Sequence, residues 1–217
     1  MEKDEKLKII ERYNKRLAEN GDTPKALGWD KERHNLRFFI LTSLWELNEA
    51  SVLDFGCGLG DLWGYLDAQN KRPARYLGVD INSQLIGRAQ KKYPSGEFRT
   101  FDFDVDILDS KFDFVFSSGA HNFKLKNNWD YIEKSILSFD KWSSKGFAIN
   151  FLSDKVDFRA NELHYTNPSQ VLDFCYGISR NVVLRNDYMP FEFTVFVRKD
   201  DPVDPEKTVF NRFLKYL

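Results

Sequence analysis

Between a short apolar run, Val52-Leu53-Asp54-Phe55, and the amphipathic stretch that begins at Asp61, the chain places glycines at positions 56, 58 and 60. Residues without Cβ let the backbone take positive φ values and let a ligand approach the main chain itself. A strand that runs through such a loop into a helix is the ligand cradle of open α/β sheets, whose ligands lie beyond the carboxyl ends of the strands. The runs that follow suit this setting. Tyr76–Asp80, Glu97–Phe101, Phe112–Phe116 and Phe147–Phe151 are short strand-like stretches. Helical patterns separate them, through Leu62 and Leu66, through Leu85, Ile86, Ala89 and Tyr93, and across Trp129–Phe139. Strands apolar on both faces belong to a parallel sheet covered by helices on each side. Near the end the rhythm changes. Val182–Leu184 and Phe191–Val197 are joined only by Arg185–Pro190, too short for a crossover helix, so they form an antiparallel hairpin.

Two helices precede this core. Ile10, Tyr13 and Leu17 recur at helical spacing, Gly21-Asp22-Thr23-Pro24 breaks the pattern, and a second helix starts near Asp30 with Leu36, Ile40, Leu44 and Leu47 on one stripe. The expected organisation is a helical cap over residues 1–48, a ligand-binding core over 49–200 and a tail over 201–217. In the tail Phe210, Phe213, Leu214 and Leu217 are helically spaced.

The spacing of the loop narrows the ligand. A dinucleotide fingerprint has G-x-G-x-x-G and offers a helix N-terminus to a pyrophosphate. Here the spacing is G-x-G-x-G, and the acid Asp54 stands inside the preceding strand, which suits a ligand carrying an ammonium group better than a phosphate. Asp80 closes the second strand, placed to accept hydrogen bonds from ribose hydroxyls. Asp102 and Phe103 follow the third strand, where an adenine edge would lie. The repetition Phe101-Asp102-Phe103-Asp104 leaves Asp104 as a competitor, and a nucleotide-dependent oxidoreductase is the competing activity.

Taken in order, the motif Asp54–Gly60, the acids Asp80 and Asp102, the fourth strand and the closing hairpin resemble the class I S-adenosylmethionine-dependent methyltransferases, from Ser51 to Lys199. The resemblance implies a Rossmann-like seven-stranded α/β sheet of order 3-2-1-4-5-7-6, the last strand antiparallel, with helices on both faces. It implies S-adenosylmethionine as cofactor and S-adenosylhomocysteine as product. Carried over, Asp54, Gly56, Cys57, Gly58 and Gly60 wrap the methionine and ribose portion, and Asp80 takes the ribose hydroxyls. Asp102 takes the adenine amino group, Ile81 packs on the adenine face, and Phe103 offers its backbone N–H to the ring. Ser117, at the end of the fourth strand, joins the cofactor-binding set. The segment ahead of the core is similar to that of a bacterial subgroup with N-terminal helices, on Gly21-Asp22-Thr23-Pro24, Gly28-Trp29 and Arg37-Phe38. This places Tyr13, Trp29 and Arg37 over the cofactor, with Arg37 meeting its carboxylate. A helix pair that only covers the sheet is the alternative.

Methyl transfer from a sulfonium needs alignment more than acid–base help, because the cofactor brings the reactive group. The loop Ser117-Ser118-Gly119-Ala120-His121-Asn122, where acceptors approach in this family, lacks the Asn/Asp-Pro-Pro-Tyr/Phe signature of amino-nitrogen methylases. His121 is its one candidate general base, since an ordinary imidazole titrates near neutrality; a structural role competes. Tyr165 stands where acceptor pockets are commonly lined. With 32 basic and 33 acidic residues the net charge is −1, which gives no global field for nucleic acid or anionic membranes. Cys57 and Cys175 show no metal-ligand spacing, and no metal is expected. The reading is a cytoplasmic enzyme, monomer or homodimer, acting on a small-molecule acceptor. Methylation of RNA or protein, or cofactor binding without turnover, are the alternatives.

Overall fold

The computed structural model describes residues 1–217. Two N-terminal helices, α1 (Lys3–Asn20) and α2 (Lys31–Thr42), flank a 3-10 turn at Pro24–Leu27. The core then alternates: β1 (Ser51–Phe55), α3 (Asp61–Ala68), β2 (Arg75–Asp80), α4 (Ser83–Lys92), β3 (Glu97–Thr100), β4 (Phe112–Ser118), α5 (Asn128–Trp142), β5 (Ser143–Leu152), α6 (Pro168–Tyr176), β6 (Val182–Arg185) and β7 (Glu192–Arg198). The helices start where the sequence supplies caps. Asp30 accepts from the Arg33 N–H, Asn82 from those of Gln84 and Leu85, Asn127 from that of Asp130, and Asn167 from that of Gln170, with Pro168 at the first turn.

The seven strands lie in the order β3-β2-β1-β4-β5-β7-β6. The first five pair in parallel, and β7 pairs antiparallel with both β5 and β6. This is the order implied by the resemblance. A large apolar cluster fills each side of the sheet, one against α5 and α6, the other against α2, α3 and α4. No helix is long and apolar enough to cross a membrane.

Two segments depart from expectation. The second helix stops at Thr42, so Leu44 and Leu47 lie beyond it. The Thr42 hydroxyl donates to the Phe38 carbonyl and the Ser43 hydroxyl to that of Ile40, local bonds that compete with further helical turns. Leu47 is nevertheless buried in the core. The tail forms a 3-10 turn at Asn211–Tyr216 rather than an α-helix, and Phe213, Leu214, Tyr216 and Leu217 are exposed. It is fixed by the Asp201 carboxylate, which accepts from the Asn211 and Arg212 N–H groups and from the Arg212 guanidinium.

One polar cluster is sealed inside. Arg37 of α2, 1% exposed, donates through Nε (3.0 Å) and Nη2 to Asn150 Oδ1 on β5, and its Nε lies 3.1 Å from Glu192 Oε2 on β7. Asn150 Nδ2 donates to Glu192 Oε2 at 2.8 Å and to the Tyr188 hydroxyl at 2.7 Å. Removing one partner of such a pair strands the other charge without water, at about 3–5 kcal/mol. Glu192→Gln is therefore expected to lower unfolding free energy by roughly that amount in urea titration. Tyr188→Phe, which deletes the hydroxyl's two neutral hydrogen bonds, with Asn150 and Thr194, and strands no charge, should cost less, about 1–3 kcal/mol.

Candidate active site

The loop after β1 is built by its glycines twice over. Gly56, Gly58 and Gly60 have φ of 74°, 54° and 73°. A Cβ on Gly56 would stand 2.6 Å from that of Ala120, and one on Gly60 would stand 2.7 Å from the Phe98 ring. The Gly56 and Cys57 N–H groups both donate to the Val79 carbonyl, at 2.8 and 3.0 Å, tying the loop to β2. Asp80, at the end of β2, accepts from the Gly58 N–H at 3.0 Å and from the Asn82 N–H at 2.8 Å.

These elements form the floor of a cavity lined by Asp54, Gly56, Cys57, Gly58, Asp80, Ile81, Asp102 and Phe103 from the core, and by Tyr13 and Trp29 from the N-terminal segment. Asp54 is buried and accepts the Tyr76 hydroxyl at 2.6 Å. Burial pushes its carboxyl up to about 7, against the lowering effect of that bond. Burial likewise raises Asp80, against the backbone N–H groups that hold it. Asp102 and Asp104 both reach the cavity wall, and Lys6 of α1 bridges them at 2.5 and 2.9 Å. The repetitive stretch thus presents both acids to one cation rather than choosing between them.

Four expected residues do not reach the cavity surface. Gly60 turns against Phe98. Ser117 is fully buried, because alternation along β4 sends its side chain away and brings Ser118 to the wall instead. Arg37 stands behind the wall, its guanidinium carbon 3.8 Å from the Trp29 ring centroid. Its Nη1 is buried with no hydrogen-bond partner, next to Gly119. His121 is the largest departure. The turn at Gly119, with φ of 84°, directs the imidazole into the core among Phe55, Tyr131, Phe139 and Phe151. Both ring nitrogens are buried and unpartnered, and burial pushes its pKa down to about 3. A neutral ring closed off in this way is not placed to take a proton from a ligand in the cavity.

The structure also adds residues that sequence reasoning passed over. Leu27 packs over Gly58, with Cδ1 3.0 Å from where a Cβ there would be. His34 lines the cavity 3.8 Å from Asp61, and burial pushes it down to about 4. Lys6 and Ile9 share a helical face with Tyr13, a spacing of three and four that was legible. A second cavity of about 640 Å³ adjoins the first. Tyr13, Leu27, Trp29, Gly119 and Phe123 line both. Its other walls include Arg12, Arg16, Lys155, Phe158, Tyr165 and Phe191.

A parallel sheet that ends in an antiparallel β7, with a glycine loop and acids at the tips of β1, β2 and β3, defines the Rossmann-like nucleoside-binding class. The chain matches the methyltransferase domain family over residues 52–136. It is 31% identical to the Mycobacterium tuberculosis methyltransferase-family protein Rv1506c over 156 residues, 69% of this chain and 93% of that protein. A TehB-like methyltransferase from Corynebacterium glutamicum has a similar structure, with a TM-score of 0.59 and 20% identity over 89% of this chain and 99% of that one. Magnesium protoporphyrin IX methyltransferase from Synechocystis, crystallised with bound S-adenosylhomocysteine, gives 0.55 and 14% over 76% of this chain and 79% of its own. The chain belongs to the class I S-adenosylmethionine-dependent methyltransferases.

Two substitutions probe these placements. Gly56→Ala forces a side chain into the left-handed region and against Ala120, and is expected to cost at least about 2 kcal/mol and to abolish nucleoside binding. Gly87→Ala, in α4 with open space around it, should be neutral or slightly stabilising by comparison. For His121 the folded pKa lies below the unfolded value, so its contribution is complete above about 6.5 and is lost as pH falls towards about 3. His121→Leu is expected to flatten the acid limb of the stability–pH curve by up to one proton, about 1.4 kcal/mol per pH unit, without loss of turnover.

Proposed function

We propose that the enzyme holds S-adenosylmethionine in the first cavity and a small-molecule acceptor in the second, with transfer across the boundary formed by Tyr13, Trp29, Gly119 and Phe123. The observation that carries this reading is the shared wall: five residues face both cavities. The bare backbone at Gly56 and Gly58 fits the methionine and ribose portion. Asp80 keeps lone pairs for the ribose hydroxyls, and Ile81, Phe103 and Asp102 stand at the adenine end. Arg37 acts from behind the wall: its guanidinium stacks on Trp29 and is held by Glu192 and Asn150, so it positions the roof of the site rather than touching the ligand.

Bound there, the cofactor supplies a methyl group already activated on sulfur. What remains for the chain is alignment and exclusion of water. Trp29 and Tyr13 close the roof, and Phe123 and Gly119 form the passage. Tyr13 is the only titratable residue on the shared wall, and burial pushes its phenol up to about 12, so it stays protonated at neutral pH. A concave site of this size and a net charge of −1, with no global field for a phosphate backbone, favour a small molecule over a polymer.

S-Adenosylhomocysteine at about 100 times its dissociation constant should add about 2.7 kcal/mol, a rise in melting temperature of roughly 5–10 °C, and NAD or ATP should add nothing. A shift with NAD alone would sink this reading. Asp54 gives a second readout. At pH 6 a carboxyl raised to about 7 is mostly protonated, and an ammonium brought beside it favours the carboxylate. Binding should therefore release a proton at pH 6 and progressively less above pH 8. Calorimetry in buffers of different ionisation enthalpy measures this, and Asp54→Asn should remove it.

A further inference from the structure

We infer that the acceptor is an aromatic carboxylic acid, bound as its carboxylate and released as the methyl ester. The inference rests on the reading of the second cavity given above and adds its chemistry. Tyr13, Trp29, Phe123, Tyr165 and Phe191 give that cavity aromatic walls on several sides, with Phe158 at its exposed rim, which suits a flat, apolar body. Its charged residues are unequal in number and kind. Arg12, Arg16 and Lys155 stand on the wall with one acid, Asp157, which is exposed and absent from the passage to the first cavity. Arg12 pairs with Glu162 at 3.3 Å and Lys155 with Asp154 at 3.3 Å, so each is partly compensated from outside the wall. Arg16 is different. Its guanidinium donates to the main-chain carbonyls of Ala26 and Lys25, at 3.1 and 2.9 Å, which fix it in place without cancelling its charge. A cavity so lined draws in an anion and disfavours a cation.

The absence of a base in the passage points the same way. His34 and the acids of the first cavity do not line the second, His121 is closed in the core, and Tyr13, the one titratable group on the shared wall, keeps its proton. A phenol would have to shed its proton during attack, and an ammonium, which has no lone pair, before it; nothing on the shared wall can take that proton. A carboxylate arrives without one. Its oxygen lone pair forms the new O–CH3 bond while the electron pair of the methyl–sulfur bond stays on sulfur. The negative charge of the acid and the positive charge of the sulfonium cancel, and no proton is gained or lost. A step that cancels charge is favoured where few waters are near, and the boundary between the cavities is walled by Tyr13, Leu27, Trp29 and Phe123.

The test uses the full chain saturated with S-adenosylhomocysteine, titrated by calorimetry with benzoate, cinnamate and indole-3-acetate and with the primary amide of each. At least one acid is expected to bind ten times or more tightly than its amide, with affinity falling as salt is raised. Lys155→Glu, in an exposed loop, should weaken the acids several-fold and leave the amides and S-adenosylhomocysteine unchanged. With labelled S-adenosylmethionine and a small-molecule cell extract, the product should release labelled methanol in mild alkali. Amides that bind as tightly as the acids, or a labelled product stable to alkali, overturn the assignment while leaving the cofactor site intact. Failure of S-adenosylhomocysteine to bind at all would instead remove the reading of the first cavity.

Discussion

The buried charge of Arg37 is the constraint on which the arrangement of the cap depends. A guanidinium with almost no exposed surface costs several kcal/mol unless its partners are fixed around it. Those partners come from β5 and β7, the strands joined antiparallel at the far side of the sheet. Asn150 and Glu192 sit two steps from one another in the β5–β7 register, and Tyr188 and Thr194 close the cluster behind them. Satisfying Arg37 therefore requires α2 to lie against the sheet at one place. The same side chain stacks on Trp29, so the 3-10 turn and the roof residue that follows it are located by the same ion. Cap, closing hairpin and cavity wall share one electrostatic anchor.

The glycine loop works by a different principle, close approach rather than charge. Gly56 and Gly60 are each required by a neighbour as well as by their dihedral angles, Ala120 at one and Phe98 at the other. Packing and ligand access are therefore not alternatives here. The close approach of Gly56 and Ala120 brings the loop after β4 onto the loop after β1, and Gly119 beside it lines both cavities. Gly58 has only the flexible Leu27 side chain above it, which leaves its backbone as the part of the loop most open to the cavity.

Much of this was legible in the residues. The strands, the hairpin and the acids Asp80 and Asp102 follow from local pattern, because apolar runs and strand-ending acids are features of neighbouring positions. What escaped were features set by a single rotation of the chain or by partners far away. Ser117 and Ser118 are adjacent and polar, and only the phase of β4 decides that the second lines the cavity. His121 reads as a base from its ordinary titration, yet the positive φ at Gly119 turns it among aromatic rings. Arg37 could be placed near the cofactor by resemblance, but its dependence on Asn150 and Glu192 spans more than a hundred residues and leaves no local trace. The length of α2 was overestimated for a similar reason, since Leu47 is buried by tertiary packing without being helical.

Floor and roof of the site are held by unlike forces. The floor belongs to the sheet and its two large apolar clusters, so its geometry is as rigid as the core itself. The roof is α1, whose one buried residue is Leu17. Tyr13 adds an edge-on contact with Phe123, and most of the helix's other fastenings are polar: Lys6 to Asp102 and Asp104, Asn14 to Asn82, Arg12 to Glu162, and Glu5 to the Lys126 N–H. Contacts of this kind exchange for water at little net cost, typically 1 kcal/mol or so each, whereas uncovering apolar core does not. The Lys6 fastening ends on Asp102 and Asp104, acids of the first cavity's wall, so under the proposed placement of the cofactor the charge that holds this part of the roof is one the nucleoside would meet. With the cofactor placed as proposed, ligand and roof would act on the same carboxylate, and the strength of one contact would be set against the other at Asp102.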